Sequence, residues 1–135
     1  MPSDNELAVL TARVLVTTHN QALGRRGEEA AAQWYQSQGF TIVDRNWRGE
    51  AGELDLVAVS FVRRRPDTVA FVEVKTRSSS RFGSGVLAVG PKKQQRIRRL
   101  AGEWLSLQQT RIDTVRFDIV DVDGRGHLEV YIAAF

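Results

Sequence analysis

Two short apolar segments of this chain carry charged side chains at alternate positions, and this pattern constrains the fold more than any other feature. In residues 71–75, Glu73 and Lys75 alternate with valines, and in residues 53–56 Asp55 stands between leucines. Side chains on a β-strand alternate between faces, so Glu73 and Lys75 share one face while the valines point to the expected core. Charges are costly to bury unpaired. If the two strands are neighbours, Asp55, Glu73 and Lys75 converge at one edge of a sheet.

The rest of the pattern predicts one α/β domain with the element order α-β-β-β-α-β-β. A helix runs from Leu23 to a stop at Gly39, and a second helix has Pro91 in its first turn. The expected inner side of the first helix carries Leu23, Gly27, Ala30, Ala31, Trp34 and Gln38. Strands are predicted over residues 40–47, 53–59, 69–76, 115–122 and 128–132, the first three as an antiparallel meander with a turn at 63–67. The pattern of residues 1–22 indicates a flexible or loosely helical extension, and residues 23–135 are expected to form a single domain.

Charge is distributed unevenly along the chain. Residues 61–100 hold eleven Lys or Arg against two acids, whereas the whole chain has a net charge of only +3. Such segregation favours a polyanionic partner, although a solvated basic face without a partner explains a charge run equally well. No apolar run reaches the ~18 residues of a membrane span, no cysteine is present, and Asp4 and Glu6 argue against a secretory signal. We therefore expect a cytoplasmic protein with no membrane contact.

The three converging charged residues suit a divalent metal. Mg²⁺ takes one or two carboxylates and leaves its other positions to waters and phosphate oxygens. Asp55 and Glu73 supply carboxylates in this hypothesis, the main-chain carbonyl of Val74 adds a ligand, and Lys75 orients a water and stabilises developing charge. Cross-strand salt bridges on a solvated sheet face remain the alternative explanation of the same spacing.

The motifs also match a known family. Gly52-Glu53-Leu54-Asp55-Leu56 followed by Phe71-Val72-Glu73-Val74-Lys75-Thr76-Arg77 resembles the YraN-like family of bacterial proteins, within the PD-(D/E)xK nuclease superfamily and similar to Holliday-junction resolvases. Matches at Gly24, Gly27-Glu28, Arg45-Asn46-Trp47, Lys93 and Arg116-Phe117-Asp118 extend the resemblance over roughly residues 23–120. Leu54 stands where the superfamily name has proline.

The resemblance implies a restriction-endonuclease-like core, α-β-β-β-α-β, with a mixed central sheet flanked by helices. It also implies roles: Asp55 and Glu73 as acids that bind Mg²⁺ or Mn²⁺, Lys75 as the catalytic lysine, and Glu28 as a further catalytic and metal-binding acid. Glu29 would point about 100° away around the helix. Related resolvases work as symmetric dimers, so a homodimer is expected here.

Basic residues near the expected site are candidates for phosphate contacts. This group comprises Arg77, Arg81, Lys92, Lys93, Gln94 and Arg96, of which Gln94 is included because a glutamine of the second helix assists the site in some relatives. Binding through such residues would weaken steeply with salt. The chain as a whole predicts a metal-dependent endonuclease acting on DNA, with branched or flapped structures among its expected substrates. The alternatives are a nucleic-acid-binding protein with little cleavage, or an interaction module in a nucleic-acid-processing assembly.

Overall fold

The computed structural model describes residues 22–78 and 89–135. Helix α1 covers residues 22–37 of this range. The other elements are β1 (Thr41–Gly49), β2 (Gly52–Val62), β3 (Arg65–Thr76), α2 (Pro91–Ser106), β4 (Thr114–Val122) and β5 (Leu128–Tyr131). The predicted extension lies outside the described residues except for residue 22, and so does Arg81. No helix in the described ranges is long and apolar enough to cross a membrane.

The five strands form one sheet in the order β1-β2-β3-β4-β5. Strands β1, β2 and β3 are an antiparallel meander, β4 runs parallel to β3, and β5 is antiparallel to β4. The parallel step is possible because the chain crosses through α2 between β3 and β4. The expected mixed sheet and restriction-endonuclease-like α/β core are confirmed.

The two helices cover opposite faces of the sheet, so the molecule has three layers. Ile97, Leu100 and Trp104 of α2 belong to one buried cluster with Phe71 and its neighbours. Ala31, Ala32 and Tyr35 of α1 belong to the other cluster, together with Leu56 and Val72. A helix on each side explains why the central segments of β2 and β3 are nearly all apolar, since both of their faces are buried.

The inner side of α1 differs from the predicted one. Gln38 is exposed and lies beyond the helix end, whereas Tyr35, which the pattern placed elsewhere, is fully buried. Burial of a tyrosine requires a partner for its hydroxyl, and Tyr35 Oη donates to Asp118 Oδ2 at 2.6 Å. The helix does stop where expected: Gly39 has φ of 89°, a conformation that few other residues adopt readily.

The turn between β2 and β3 is shorter than the predicted residues 63–67. It consists of Arg63 and Arg64, with φ of 50° and 66°, the positive values that two-residue hairpin turns require. Pro66 lies inside β3, opposite Phe61, where the ladder to β2 is irregular. The registered pairs with β4 begin only at Thr68, so Pro66 has no ladder bond to break on that side.

Candidate metal and nucleic-acid site

The site begins where β2 and β3 separate. Their ladder runs from the hairpin to the pair Leu56 and Val72 and ends there. Beyond that point the beginning of β2 pairs with β1, while the end of β3 pairs with β4. Asp55 Oδ2 accepts a hydrogen bond of 2.8 Å from the Val74 amide, so a carboxylate takes the place of the next ladder acceptor. The separation opens a gap at the end of the sheet with Asp55 at its apex.

A cavity of about 390 Å³ occupies this gap. Its walls are Leu23, Gly24, Glu28, Asp55, Glu73, Val74 and Thr76. We call the part formed by Glu28, Asp55 and Glu73 the acidic cleft. The four residues expected to bind metal therefore line one cavity, contributed by α1, β2 and β3.

Helix α1 reaches the cleft because Gly27 lacks a side chain. Gly27 is buried against the end of β3, and a Cβ built on it would overlap the Thr76 hydroxyl. This close approach carries the next residue, Glu28, to the cavity wall. The side chain of Glu29 instead pairs with Arg45 at 2.5 Å, as expected for a residue one step around the helix.

Burial of the acids, reinforced by their mutual repulsion, dominates the electrostatics of the cleft. Burial raises the pKa of Asp55 to about 7, helped by the neighbouring charge of Glu73 and opposed by the hydrogen bond from the Val74 amide. Asp55 and Glu73 line the same cavity, so a negative charge on Glu73 opposes ionisation of Asp55. Asp55 therefore holds a proton more tightly than a solvated aspartate would.

Glu28 is the third acid of the cleft. Burial raises its pKa, while a hydrogen bond of 3.1 Å from Asn46 Nδ2 opposes the rise. Asn46 has φ of 48°, a left-handed conformation that asparagine tolerates better than most residues. The sequence offered only a weak signal for this contact, an asparagine inside a predicted strand.

Two lysines from different elements lie beside the acids. Lys93 Nζ is 2.5 Å from Glu73 Oε1, and the hydrogen bond and charge of Glu73 raise the pKa of Lys93 despite its burial. Burial and the nearby Lys93 ammonium lower the pKa of Lys75. Lys93 was expected on a phosphate-binding surface but instead contacts the cleft. Its position four residues before Ile97 continues the buried stripe of α2 toward the sheet, a signal that the sequence contained.

The other predicted phosphate contacts are dispersed. Arg77 Nε is 2.9 Å from Oδ1 of the fully buried Asp121. Gln94 Nε2 donates to the Val89 carbonyl at 2.9 Å, so its amide supports the start of α2. Lys92 and Arg96 are exposed on α2. None of these four residues lines the 390 Å³ cavity.

The donor set fits a hard divalent cation that uses few protein ligands. No group of three Asp, Glu, His or Cys side chains in residues 22–78 and 89–135 has the geometry of a complete metal cluster. Mg²⁺ needs only one or two carboxylates, and Asp55 and Glu73 both line this cavity. Burial and the charge of Glu73 raise the pKa of Asp55, and a bound cation would offset both effects by stabilising the ionised carboxylate.

Comparison with known proteins identifies the family. The model of the family described as "Uncharacterised protein family UPF0102" matches residues 27–122. A UPF0102 protein of Nocardia farcinica is 51% identical over 102 residues, which cover 76% of each chain. Similar proteins of Rhodococcus jostii and Frankia alni are 47% and 52% identical, over 77% and 73% of this chain and 84% and 78% of their own lengths. The chain therefore belongs to UPF0102, the YraN-like family that its motifs indicated.

Proposed function

We propose that this protein is a Mg²⁺- or Mn²⁺-dependent endonuclease that hydrolyses phosphodiester bonds in DNA. The observation that carries the proposal is the cavity at the end of the sheet that Asp55, Glu73 and Glu28 line together, with Lys93 paired to Glu73 and Lys75 beside them. Two acids and a lysine on separating strands are also the arrangement implied by the resemblance to the PD-(D/E)xK nucleases. Branched and flapped DNA are the substrates that the resemblance to resolvases favours.

Each residue of the cleft has a role in this proposal. Asp55 and Glu73 would hold the ion together with the Val74 carbonyl, and Glu28, on the α1 wall of the same cavity, would add negative charge beyond these direct ligands. When bound, the ion polarises the phosphodiester and lowers the pKa of a water. Lys75 would orient the attacking water and stabilise negative charge on the phosphate. Because its pKa is lowered, the Lys75 ammonium would also exchange a proton more readily than an ordinary lysine.

Lys93 is a counter-ion to Glu73. It would leave Glu73 when a cation binds and would then be free to contact a phosphate oxygen. The exposed Lys92 and Arg96 on the same helix, together with Arg77 and Arg81, would hold the flanking backbone. A homodimer would allow two cuts in one branched substrate.

The test is cleavage of linear, flapped and four-way-junction DNA with Mg²⁺, Mn²⁺ or EDTA. We expect metal-dependent cleavage that Asp55→Asn and Lys75→Ala abolish. Asp113→Asn and Arg111→Gln make the same charge changes at exposed positions outside the cavity and should retain activity. Cleavage that survives both cleft variants would show a contaminating nuclease and remove the support for this function.

A binding protein without efficient cleavage is the second candidate. The ion pair between Lys93 and Glu73 favours it, because this pair neutralises one of the two carboxylates that a metal needs. It predicts DNA binding that persists in Asp55→Asn and Lys75→Ala with no cleavage by the wild-type protein under any metal condition.

A further inference from the structure

We infer that a second cavity, beside the acidic cleft, binds a backbone phosphate of the same polyanion. Its volume is about 200 Å³, and its walls are Leu23, Arg26, Gly27, Thr76, Val122, Asp123, Gly124, Arg125 and Gly126. The inference rests on the proposed function in so far as it takes the ligand of the cleft to be a nucleic acid. We call this cavity, with Arg26 and Arg125 as its charged walls, the phosphate subsite.

The subsite adjoins the cleft directly. Leu23 and Thr76 line both cavities, and Gly27 packs on Thr76 at their common wall. A group bound in the subsite would therefore be a near neighbour of a group bound between Asp55 and Glu73. Two neighbouring phosphates of one nucleic-acid strand are similarly close and could occupy the two cavities together.

Two guanidinium groups give the subsite its ligand preference. Arg26 comes from α1 and Arg125 from the turn between β4 and β5, and both are exposed. No ion pair joins Arg26 to a carboxylate within residues 22–78 and 89–135. Guanidinium groups match the geometry of phosphate oxygens. The cavity is below the ~300 Å³ of typical small-molecule pockets, which suits a phosphate group better than a larger ligand.

The one acid in the subsite is committed to the turn itself. Asp123 Oδ1 accepts hydrogen bonds of 2.9 Å from the backbone amides of both Arg125 and His127. Its Oδ2 lies 3.4 Å from His127 Nδ1. These contacts fix the turn and lower the pKa of Asp123, although burial opposes them. Asp123 therefore fixes the backbone at Arg125, and its carboxylate is screened by donors of its own turn.

The position of the subsite gives the polyanion a direction. Lys93 approaches Glu73 from α2, on one face of the sheet, whereas Arg26 belongs to α1 on the other face. Positive groups thus stand on both sides of the acidic cleft. A strand that contacts both would cross the end of the sheet from the α2 face to the α1 face, with one phosphate over the cleft between them.

The subsite is not evident from the distribution of charge along the sequence. Arg26 and Arg125 lie outside the basic segment 61–100 and are about one hundred residues apart in the chain. The loop after β4 and the first turns of α1 meet only because β4 lies beside β3 and α1 packs on the same end of the sheet.

The test compares Arg26→Gln/Arg125→Gln with the matched variant Arg64→Gln/Arg111→Gln. Arg64 lines a cavity at the hairpin end of the sheet, and Arg111 lies between two further residues of that cavity, so the control removes the same charge far from the cleft. Binding of a fluorescein-labelled flap duplex is measured in EDTA over a range of salt concentrations, with thermal melts to verify folding. We expect the subsite variant to bind roughly tenfold more weakly, with a log–log salt slope reduced by about 1 to 2, and the control to match the wild type.

A second measurement separates this inference from the proposed function. Inorganic phosphate is titrated into the isotope-labelled wild-type protein, and the backbone amides of residues 124–126 are followed by NMR. Shifts at these amides that disappear in the Arg26→Gln/Arg125→Gln variant support the subsite even if no DNA is cleaved. Equal flap binding by the subsite variant and the wild type, or amides unmoved by phosphate, would overturn the inference even if the cleft proves to be a nuclease site.

Discussion

Replacing Asp55 by asparagine should make the metal-free protein more stable at alkaline pH. Burial and the adjacent Glu73 raise the pKa of Asp55 from its ordinary 3.8 to about 7. Above pH 7 the folded protein must hold this carboxylate ionised in a place that disfavours the charge. Asparagine removes the charge and keeps an oxygen that can accept the hydrogen bond from the Val74 amide.

The size of the effect follows from proton linkage. A tenfold change in a protonation equilibrium is 1.36 kcal/mol, so a pKa raised from 3.8 to about 7 corresponds to at most about 4 kcal/mol. Movement of Glu73 and Lys93 around the ionised group absorbs part of this cost, and we expect about 2 kcal/mol. For a domain of this size, that raises the melting temperature by roughly 6 to 10 °C.

The sign of the pH dependence is fixed by the same argument. Because the folded state binds the Asp55 proton more tightly than the unfolded state, wild-type stability is greatest when the group is protonated and falls as pH rises from about 4 to about 7. The advantage of the variant should therefore be absent near pH 4, grow up to about pH 7 and remain constant above it.

Thermal melts of both proteins in EDTA, from pH 4 to pH 8.5, measure this difference. Asp113→Asn, at an exposed position, is the control. It should change the free energy of unfolding by no more than about 0.5 kcal/mol at any pH. Adding Mg²⁺ should stabilise the wild type and not the Asp55→Asn variant. The reasoning would be refuted if the variant melted at or below the wild-type temperature at pH 8, or if the difference between the two melting temperatures did not change with pH.

Three further predictions concern the same end of the sheet. Lys93→Ala should tighten Mg²⁺ binding severalfold in calorimetry, because the ammonium that occupies Glu73 Oε1 no longer competes with the cation. Wild-type Mg²⁺ affinity should fall up to about tenfold for each pH unit below 7, since Asp55 must lose its proton to bind metal. Gly27→Ala should cost about 1 to 3 kcal/mol in denaturant unfolding, because its methyl group would overlap the Thr76 hydroxyl.

A control, a rescue variant or a contradicting outcome tests each of these. Lys92→Ala removes the same charge from the exposed neighbour of Lys93 and should leave Mg²⁺ affinity unchanged. Unchanged affinity in Lys93→Ala would mean that the ion pair does not compete with metal, and a flat pH profile would mean that Asp55 is not a ligand. Thr76→Ala should recover stability in the Gly27→Ala background; a double variant no more stable than the single one would contradict the packing argument.

Local sequence determined much of the fold. The alternation of charged and apolar residues placed Glu73 and Lys75 on one face of a strand, and Pro91 and Gly39 marked helix boundaries that the structure contains. These features depend on backbone geometry and on chain breakers, which act over a few residues. The predicted turn at 63–67 was too long because Pro66 is accommodated inside β3. The pairs between β3 and β4 begin only at Thr68, and β4 lies far along the chain.

Tertiary structure alone decided which charges meet. The end of the β2–β3 ladder at Leu56 and Val72 opens the cleft, and this depends on how β2 pairs with β1 and β3 with β4. The same packing brings Lys93 to Glu73 and places Arg26 near Arg125. The sequence identifies the charged residues and the face of the strand or helix on which each one lies. Their separation through space, on which Coulomb energy and pKa depend, is fixed only when distant segments pack together.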